Sequence, residues 1–158
     1  MTQSDEVQLV RFRVGGRDFA VNVFQVERIL RYEAPAALPG APAFLEGVIR
    51  YGEQAIPVVD LRSRFGVEAP VREDTRIVVL DWEGGRVGAV VDAVQDVLKV
   101  PAERVAPPHG LVQDLAAEYI SGIVTLDEGT VVVLAAGKLL SSSEQLALDQ
   151  LTVEAGHE

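Results

Sequence analysis

Cysteine is absent from the 158-residue chain. Disulfides, thiolate metal sites and cysteine nucleophiles are therefore excluded, and the composition suits a reducing compartment, for which the cytoplasm is the default expectation. No apolar run approaches the roughly 18 to 20 residues that a membrane-spanning helix requires. The opening Met1-Thr2-Gln3-Ser4-Asp5-Glu6 is polar and acidic, with no basic stretch leading into an apolar one, so no secretory signal is expected there. Basic side chains are also in deficit, 14 against 24 acidic ones. The resulting formal charge of -10 repels nucleic-acid phosphates and anionic headgroups. The chain reads as soluble, with neither nucleic acid nor direct membrane insertion expected.

Histidine is nearly missing too, which bears on catalysis. Nucleophilic chemistry needs a serine, threonine or cysteine beside an activating base, and the candidates are His109 and, in the C-terminal tail, His157. Ser141-Ser142-Ser143 followed by Glu144 reads as a helix start with a capping box. Asp60 and Asp92 each follow a Val-Val pair at a strand end. As paired carboxylates they could act as acid and base in a cleft, but their equivalent positions favour capping of free backbone N–H groups. Scattered acids and no histidine pair argue against a metal site. Gly84-Gly85-Arg86-Val87-Gly88 approaches phosphate-loop spacing, yet it lies between strands rather than opening a helix, so it reads as a hairpin turn. No cofactor is expected, and an enzyme or small-ligand binder finds no converging nucleophile, base and oxyanion donor.

What the chain does contain is a repeat. Gly15-Gly16-Arg17-Asp18-Phe19-Ala20-Val21 returns as Gly84-Gly85-Arg86-Val87-Gly88-Ala89-Val90, each copy between apolar runs. Gly47-Val48-Ile49 leading to Ile56-Pro57-Val58-Val59 is then matched by Gly122-Ile123-Val124 leading to Val131-Val132-Val133-Leu134. Two pairs in the same order, at nearly the same offset, indicate a duplicated β module. A duplication without catalytic residues points to a binding scaffold.

The pattern predicts a first hairpin, Val7 to Val14 and Arg17 to Phe24, turning at Gly15-Gly16. Val26, Ile29 and Leu30 fall at helical spacing, so Asn22 to Arg31 is expected to leave the strand as a short helix or turn. Three prolines and four alanines between Glu33 and Pro42 favour an extended loop, free to lie over a partner. Leu45 to Tyr51 and Ala55 to Asp60 form a second hairpin around Gly52-Glu53, and Leu61 to Phe65 a helical turn closed by Gly66. The second half repeats this plan with Thr75 to Asp81, a turn at Glu83-Gly84-Gly85, Arg86 to Asp92, and Ala93 to Val100. A second loop starts at Pro107-Pro108-His109-Gly110. Tyr119 to Leu126 and Thr130 to Ala135 close a last hairpin, and Lys138 to Leu151 a helix carrying Leu139, Leu140, Leu146, Leu148 and Leu151. Such a series of short strands implies an all-β sandwich or paired barrels, and the duplication favours paired barrels.

Some apolar side chains exceed what two small barrels readily enclose: Val26, Ile29 and Leu30, then Val91, Val94, Val97 and Leu98. Most of these are expected in the core, and the remainder would form a binding surface. Trp82 fits equally an interface anchor or a cover for one barrel end.

From Val7 to Leu151 the chain resembles the CheW family of chemosensory coupling proteins, whose relatives include the regulatory domain of the CheA kinase and the adaptor half of CheV. The resemblance rests on the glycine hairpin with Phe19-Ala20-Val21 and on Leu38-Pro39-Gly40-Ala41-Pro42-Ala43-Phe44 before Gly47-Val48-Ile49. It rests further on Ile56-Pro57-Val58-Val59-Asp60-Leu61-Arg62, on Val90-Val91-Asp92-Ala93-Val94 and on Tyr119-Ile120-Ser121-Gly122. It implies two five-stranded, SH3-like β-barrels around a shared hydrophobic core, intertwined within one domain spanning 1–158, ordered over about 7–151, with 152–158 a flexible tail. The implied role is non-enzymatic: a cytoplasmic adaptor between a CheA-type histidine kinase and the tips of methyl-accepting chemoreceptors, able to self-associate within arrays. With Met1 at the start and no kinase, receiver or phosphotransfer segment, a complete stand-alone coupling protein is expected.

The partner-binding residues so implied are Val26, Arg28, Ile29, Arg50, Tyr51, Gly52, Glu53, Val91, Asp92 and Val94. Gly15, Gly16, Gly47, Asp60, Gly84 and Gly85 serve turns and caps. At two places the chain departs from the family pattern. Val26-Glu27-Arg28-Ile29 carries a base where the family usually has the acid of Val-x-Glu-Ile, and Arg50-Tyr51-Gly52-Glu53 carries glycine where Asn-Leu-Arg-Gly usually supplies arginine. The changes are opposite in sign, as expected if the original pair interacted. They suit a specialised adaptor matched to its own kinase or receptors, or serving another motility or developmental pathway. Alternatively they are drift on an exposed surface, where single charges contribute little.

Overall fold

The computed structural model describes residues 5–67, 69–82, 85–107, 119–140, 143–144 and 146–147. The first hairpin forms as its glycines require. β1 (Glu6–Val14) and β2 (Arg17–Asn22) pair antiparallel with Phe12 opposite Phe19. Gly15 and Gly16 both hold positive φ, 60° and 80°, which only glycine adopts cheaply in so tight a turn. After a single 3-10 turn at Val23–Gln25, where the Asn22 side chain accepts from the Phe24 N–H at 3.0 Å, the chain enters β3 (Val26–Arg31).

This last element corrects the expected helix or turn over Asn22 to Arg31. A β-bulge between Val26 and Arg28 sets Val26 opposite Leu80 but Ile29 opposite Val78. Because the bulge inserts one residue, side chains three apart share a face, so strand geometry imitates helical spacing.

β4 (Gly47–Tyr51) and β5 (Gln54–Asp60) form the second hairpin, and α1 (Leu61–Arg64) follows with Asp60 as N-cap. The proline-rich loop before β4 lies over the protein's own core, to which Leu38, Ala41 and Phe44 contribute. β6 (Arg76–Trp82) and β7 (Gly85–Val91) repeat the first hairpin. β8 (Ala93–Pro101) is again a strand where the repeated plan implied a helix or turn, and it pairs with β1. β9 (Val105–Ala106), β10 (Ile120–Leu126) and β11 (Gly129–Leu134) complete the strands. At the expected C-terminal helix, Ala136–Lys138 is a 3-10 turn, and helical residues appear at 143–144 and 146–147. Gly84, His109, Ser141, Ser142, Leu148, Leu151 and the tail 152–158 lie outside the described residues, as does the side chain of Trp82.

The strands make two curled, barrel-like sheets, ordered β8-β1-β2-β11-β10-β9 and β3-β6-β7-β5-β4. Placing β1, β2, β3, β4 and β5 on β6, β7, β8, β10 and β11 turns one order into the other. Each half of the chain thus gives its leading hairpin to the sheet built mainly from the other half. The resemblance implied five strands per barrel, and the first sheet has six. β9 is the extra one, and its repeat partner is the isolated bridge of Ala36 to Val48, too short to count as a strand.

Burial follows this exchange. Leu9, Ala20, Val124 and Val131 fill the first sheet's interior, and Val58, Ile77, Val79 and Val90 that of the second. Between the sheets lies a larger cluster including Phe12, Phe19, Val59, Leu61, Val78, Leu80, Leu134 and Leu139. Phe19 packs against Phe65, just past α1, with tilted rings 5.1 Å apart, and Phe65 lies 6.1 Å from Tyr119, so aromatic packing crosses from one repeat to the other.

Candidate partner-docking surface

β3 and β4 are the two edges of the second sheet, and the curl of that sheet brings their side chains together. The Arg28 guanidinium lies over the Tyr51 ring, 4.4 Å from its centroid, a cation–π contact that joins the edges. Beside it Glu27 accepts from Arg86 Nε at 2.8 Å, and Arg86 also hydrogen-bonds Gln54. Tyr51 is 37% exposed beside Arg28, and Ile29 is 42% exposed on the other face of β3, so the edges present apolar area as well as charge. Arg50, Gly52 and Glu53 are exposed at the end of the same hairpin. Gly52 holds φ at 62°, with open space where a Cβ would stand. Arg28, where the resemblance implied an acid, thus rests on an aromatic ring.

Val26 and Val94 lie elsewhere, half-buried against the rim of the cluster between the sheets. Two other expected docking residues need correction. Val91 is fully buried in that cluster and presents no side chain to a partner. Asp92 is committed internally: its Oδ2 accepts from the Gly15 N–H at 2.8 Å and its Oδ1 from Arg62 Nη1 at 3.4 Å. The capping role holds for Asp60, whose Oδ1 accepts from the Arg62 N–H at 2.9 Å. Asp92 has no helix to cap, because β8 follows directly, and satisfies instead the backbone N–H of the Gly15 turn.

The sequence reading passed over Arg62, which is 4% exposed. Its Nε and Nη2 donate to the two oxygens of Asp60, each at 3.0 Å, and Nη1 also donates to the Pro70 carbonyl at 3.1 Å. The hydrogen bonds to Asp60 raise its pKa above the ordinary arginine value despite the opposing effect of burial. The signal available was a cation within Val-Val-Asp-Leu-Arg, but nothing local says which acids it meets. Arg11 is similar: its bidentate bonds to Asp96, 2.9 and 2.8 Å, tie β1 to β8 and lead the causes that raise its pKa. Among the described residues no group of three or more His, Asp or Glu side chains could hold a metal. No helix among them is long and apolar enough to cross a membrane.

Two curled sheets share a core and leave an exposed edge of mixed apolar and charged character. The chain belongs to the family described as CheW-like domain, which matches residues 8–144. It is 31% identical over 141 residues to the chemotaxis protein CheW of Klebsiella aerogenes, covering 89% of this chain and 85% of that one. To the probable chemotaxis protein CheW of Rhizobium etli it is 32% identical over 149 residues, covering 93% and 95%. Protein FrzA of Myxococcus xanthus is 31% identical over 146 residues, with 90% and 91% covered. The fold is that of the scaffolding protein TtCheW from Thermoanaerobacter tengcongensis, with a TM-score of 0.80, 24% identity and coverage of 90% and 92%. The chain is thus a chemotaxis-type scaffold or adaptor by family.

Proposed function

We propose that this protein is a non-enzymatic cytoplasmic adaptor that couples the tips of chemoreceptors to a CheA-type histidine kinase. The observation that carries the reading is the joined β3/β4 edge, where Tyr51 offers an aromatic anchor under Arg28, near the exposed Arg50 and Glu53, with Ile29 exposed on the other face of β3. Aromatic and arginine side chains at the centre of a desolvated contact supply most of the affinity in such interfaces. Val26 and Val94, at the rim of the inter-sheet core, form a second apolar contact. Calorimetric titration of the purified chain with the regulatory domain of a CheA-type kinase from the same organism, at two salt concentrations, tests the reading. Saturable binding is expected, weaker at high salt because exposed charges are screened. Absence of binding by the folded chain would overturn it.

One observation favours a specialised adaptor of another motility or developmental pathway. Arg28 is engaged with Tyr51 rather than with an acid, so a partner shaped for an acid there would meet a cation, and like-charge juxtaposition can cost several kcal/mol. On that reading Arg28→Glu with Gly52→Arg increases binding to a generic CheA regulatory domain. No increase would leave the change of charge without functional meaning.

A further inference from the structure

Several arginines of this acidic chain pair with acids: Arg11 with Asp96, Arg13 with Asp18, Arg62 with Asp60, Arg64 with Glu144 and Arg86 with Glu27. Among the described residues, Arg31, Arg72 and Arg76 do not. They meet at a recess of about 270 Å³ at the end of β3, lined also by Tyr32, Val71 and Thr75. Arg31 and Arg76 are direct cross-strand partners, and like charges so placed destabilise a sheet. With acids outnumbering bases 24 to 14, an arrangement selected for stability would have put a carboxylate between them. Glu73 and Asp74 line the same recess, yet no ion pair joins either to these arginines among the described residues.

The recess is also preorganised. Thr75, 1% exposed, accepts the Arg72 N–H on its Oγ1 at 2.8 Å and returns its own N–H to the Arg72 carbonyl at 3.2 Å. The Tyr32 N–H reaches the Thr75 carbonyl at 3.3 Å, fastening this turn to β3. Arg76 Nη1 is held by the carbonyls of Glu73 and Thr75 at 2.7 and 3.0 Å, which fixes its guanidinium and leaves its other N–H groups available. Next to the cations stand apolar side chains, Val71 at 51% exposure and Ile29, two residues before Arg31 along the same strand face.

We infer that this recess is a docking site for an acidic side chain of a partner protein, with Ile29 and Val71 receiving an apolar neighbour of that acid. Three cations against two exposed carboxylates leave one excess positive charge locally, matched to a single Asp or Glu rather than to a polyanion. A nucleic acid or a lipid surface is in addition repelled by the net charge of the whole chain. Arginine presents a planar fork of donors that suits a carboxylate. The site shares the exposed Ile29 with the proposed docking edge but stands on the other face of β3 from the Arg28–Tyr51 contact, and it does not depend on which kinase or receptor is bound.

The test is an NMR titration of the full chain with a capped peptide of Leu, Asp and Glu, with its Asn/Gln counterpart, and with inorganic phosphate at equal concentration. Saturable shifts confined to Tyr32, Arg72, Thr75 and Arg76 are expected with the acidic peptide alone. Arg31→Gln or Arg72→Gln weakens binding at least about fivefold, the effect of losing one charge-assisted hydrogen bond. Equal response to the Asn/Gln peptide, equal response to phosphate, shifts spread over Arg50 and Arg104 as well, or no shift at all overturns the inference. A second readout is thermal: Arg31→Gln relieves the cross-strand repulsion and holds or raises Tm. A fall in Tm would mean that Arg31 serves the fold instead.

Discussion

Arg62 is a buried cation shared between two carboxylates, and at the scale of single residues it is the side chain on which most depends. Through Asp60 it fixes the entry to α1, and through Asp92 it reaches the Gly15 turn of the other sheet. Removing one partner of a buried ionic network leaves the remaining charges uncompensated, here two acids facing each other. Arg62→Met is therefore expected to destabilise the protein by about 3 kcal/mol in urea denaturation, with partial recovery when Asp92→Asn is added. The raised pKa of Arg62, caused first by its bonds to Asp60, means that this stabilisation is complete below the ordinary arginine value and is lost only as pH rises through the higher folded value. Varying pH near neutrality should leave the arginine side of the network untouched. Asp60 and Asp92 looked equivalent because each follows a Val-Val pair, but β5 repeats as β11 and β7 as β2, so they stand at different places in the repeat and only the tertiary packing brings both to Arg62.

At the scale of elements, Gly47, which opens β4, and Gly122, the third residue of β10, occupy equivalent places in the repeat and share a physical role. A Cβ on Gly47 would collide with the Ala36 carbonyl, and its φ of 149° is strained for any other residue. A Cβ on Gly122 would stand 2.5 Å from Val105 Cγ1 and 3.0 Å from the Ala106 carbonyl. Each glycine lets the segment that covers a sheet edge approach the strand closely. Gly47→Ala is expected to cost about 3 kcal/mol, combining backbone strain with a steric clash. Gly52→Ala, which has positive φ but open space, should cost about 1 kcal/mol. Chemical denaturation of the pair measures the difference. The hairpins were readable because glycine turns and alternating burial are local. β3 and β8 were not, since both are edge strands whose pairing lies with the other half of the chain, and a bulge disguises the period of β3.

At the scale of the whole molecule, the exchange of hairpins makes neither half self-sufficient. Fragments 1–70 and 71–158 each lack strands that their sheets require, because β1 and β2 sit between β8 and β11, and β6 and β7 between β3 and β5. Each fragment alone is expected to show little dispersion in its NMR spectrum, and an equimolar mixture to recover the native pattern. Independent folding of either would contradict the exchange. The charge of -10 acts at this scale as well, favouring solubility and setting how charged partners approach. Glycine turns and the repeated motifs were enough to indicate a duplicated β module, because turn chemistry and motif spacing are written along the chain, and the resemblance of its ordered motifs pointed to the CheW family. Which hairpin joins which sheet, how Arg62 finds Asp92 beyond Asp60, why Val91 turns inward, and how three arginines meet unpaired at one recess depend on contacts between distant segments. Burial of the inter-sheet faces selects those contacts, and that free energy exists only once both halves are folded together.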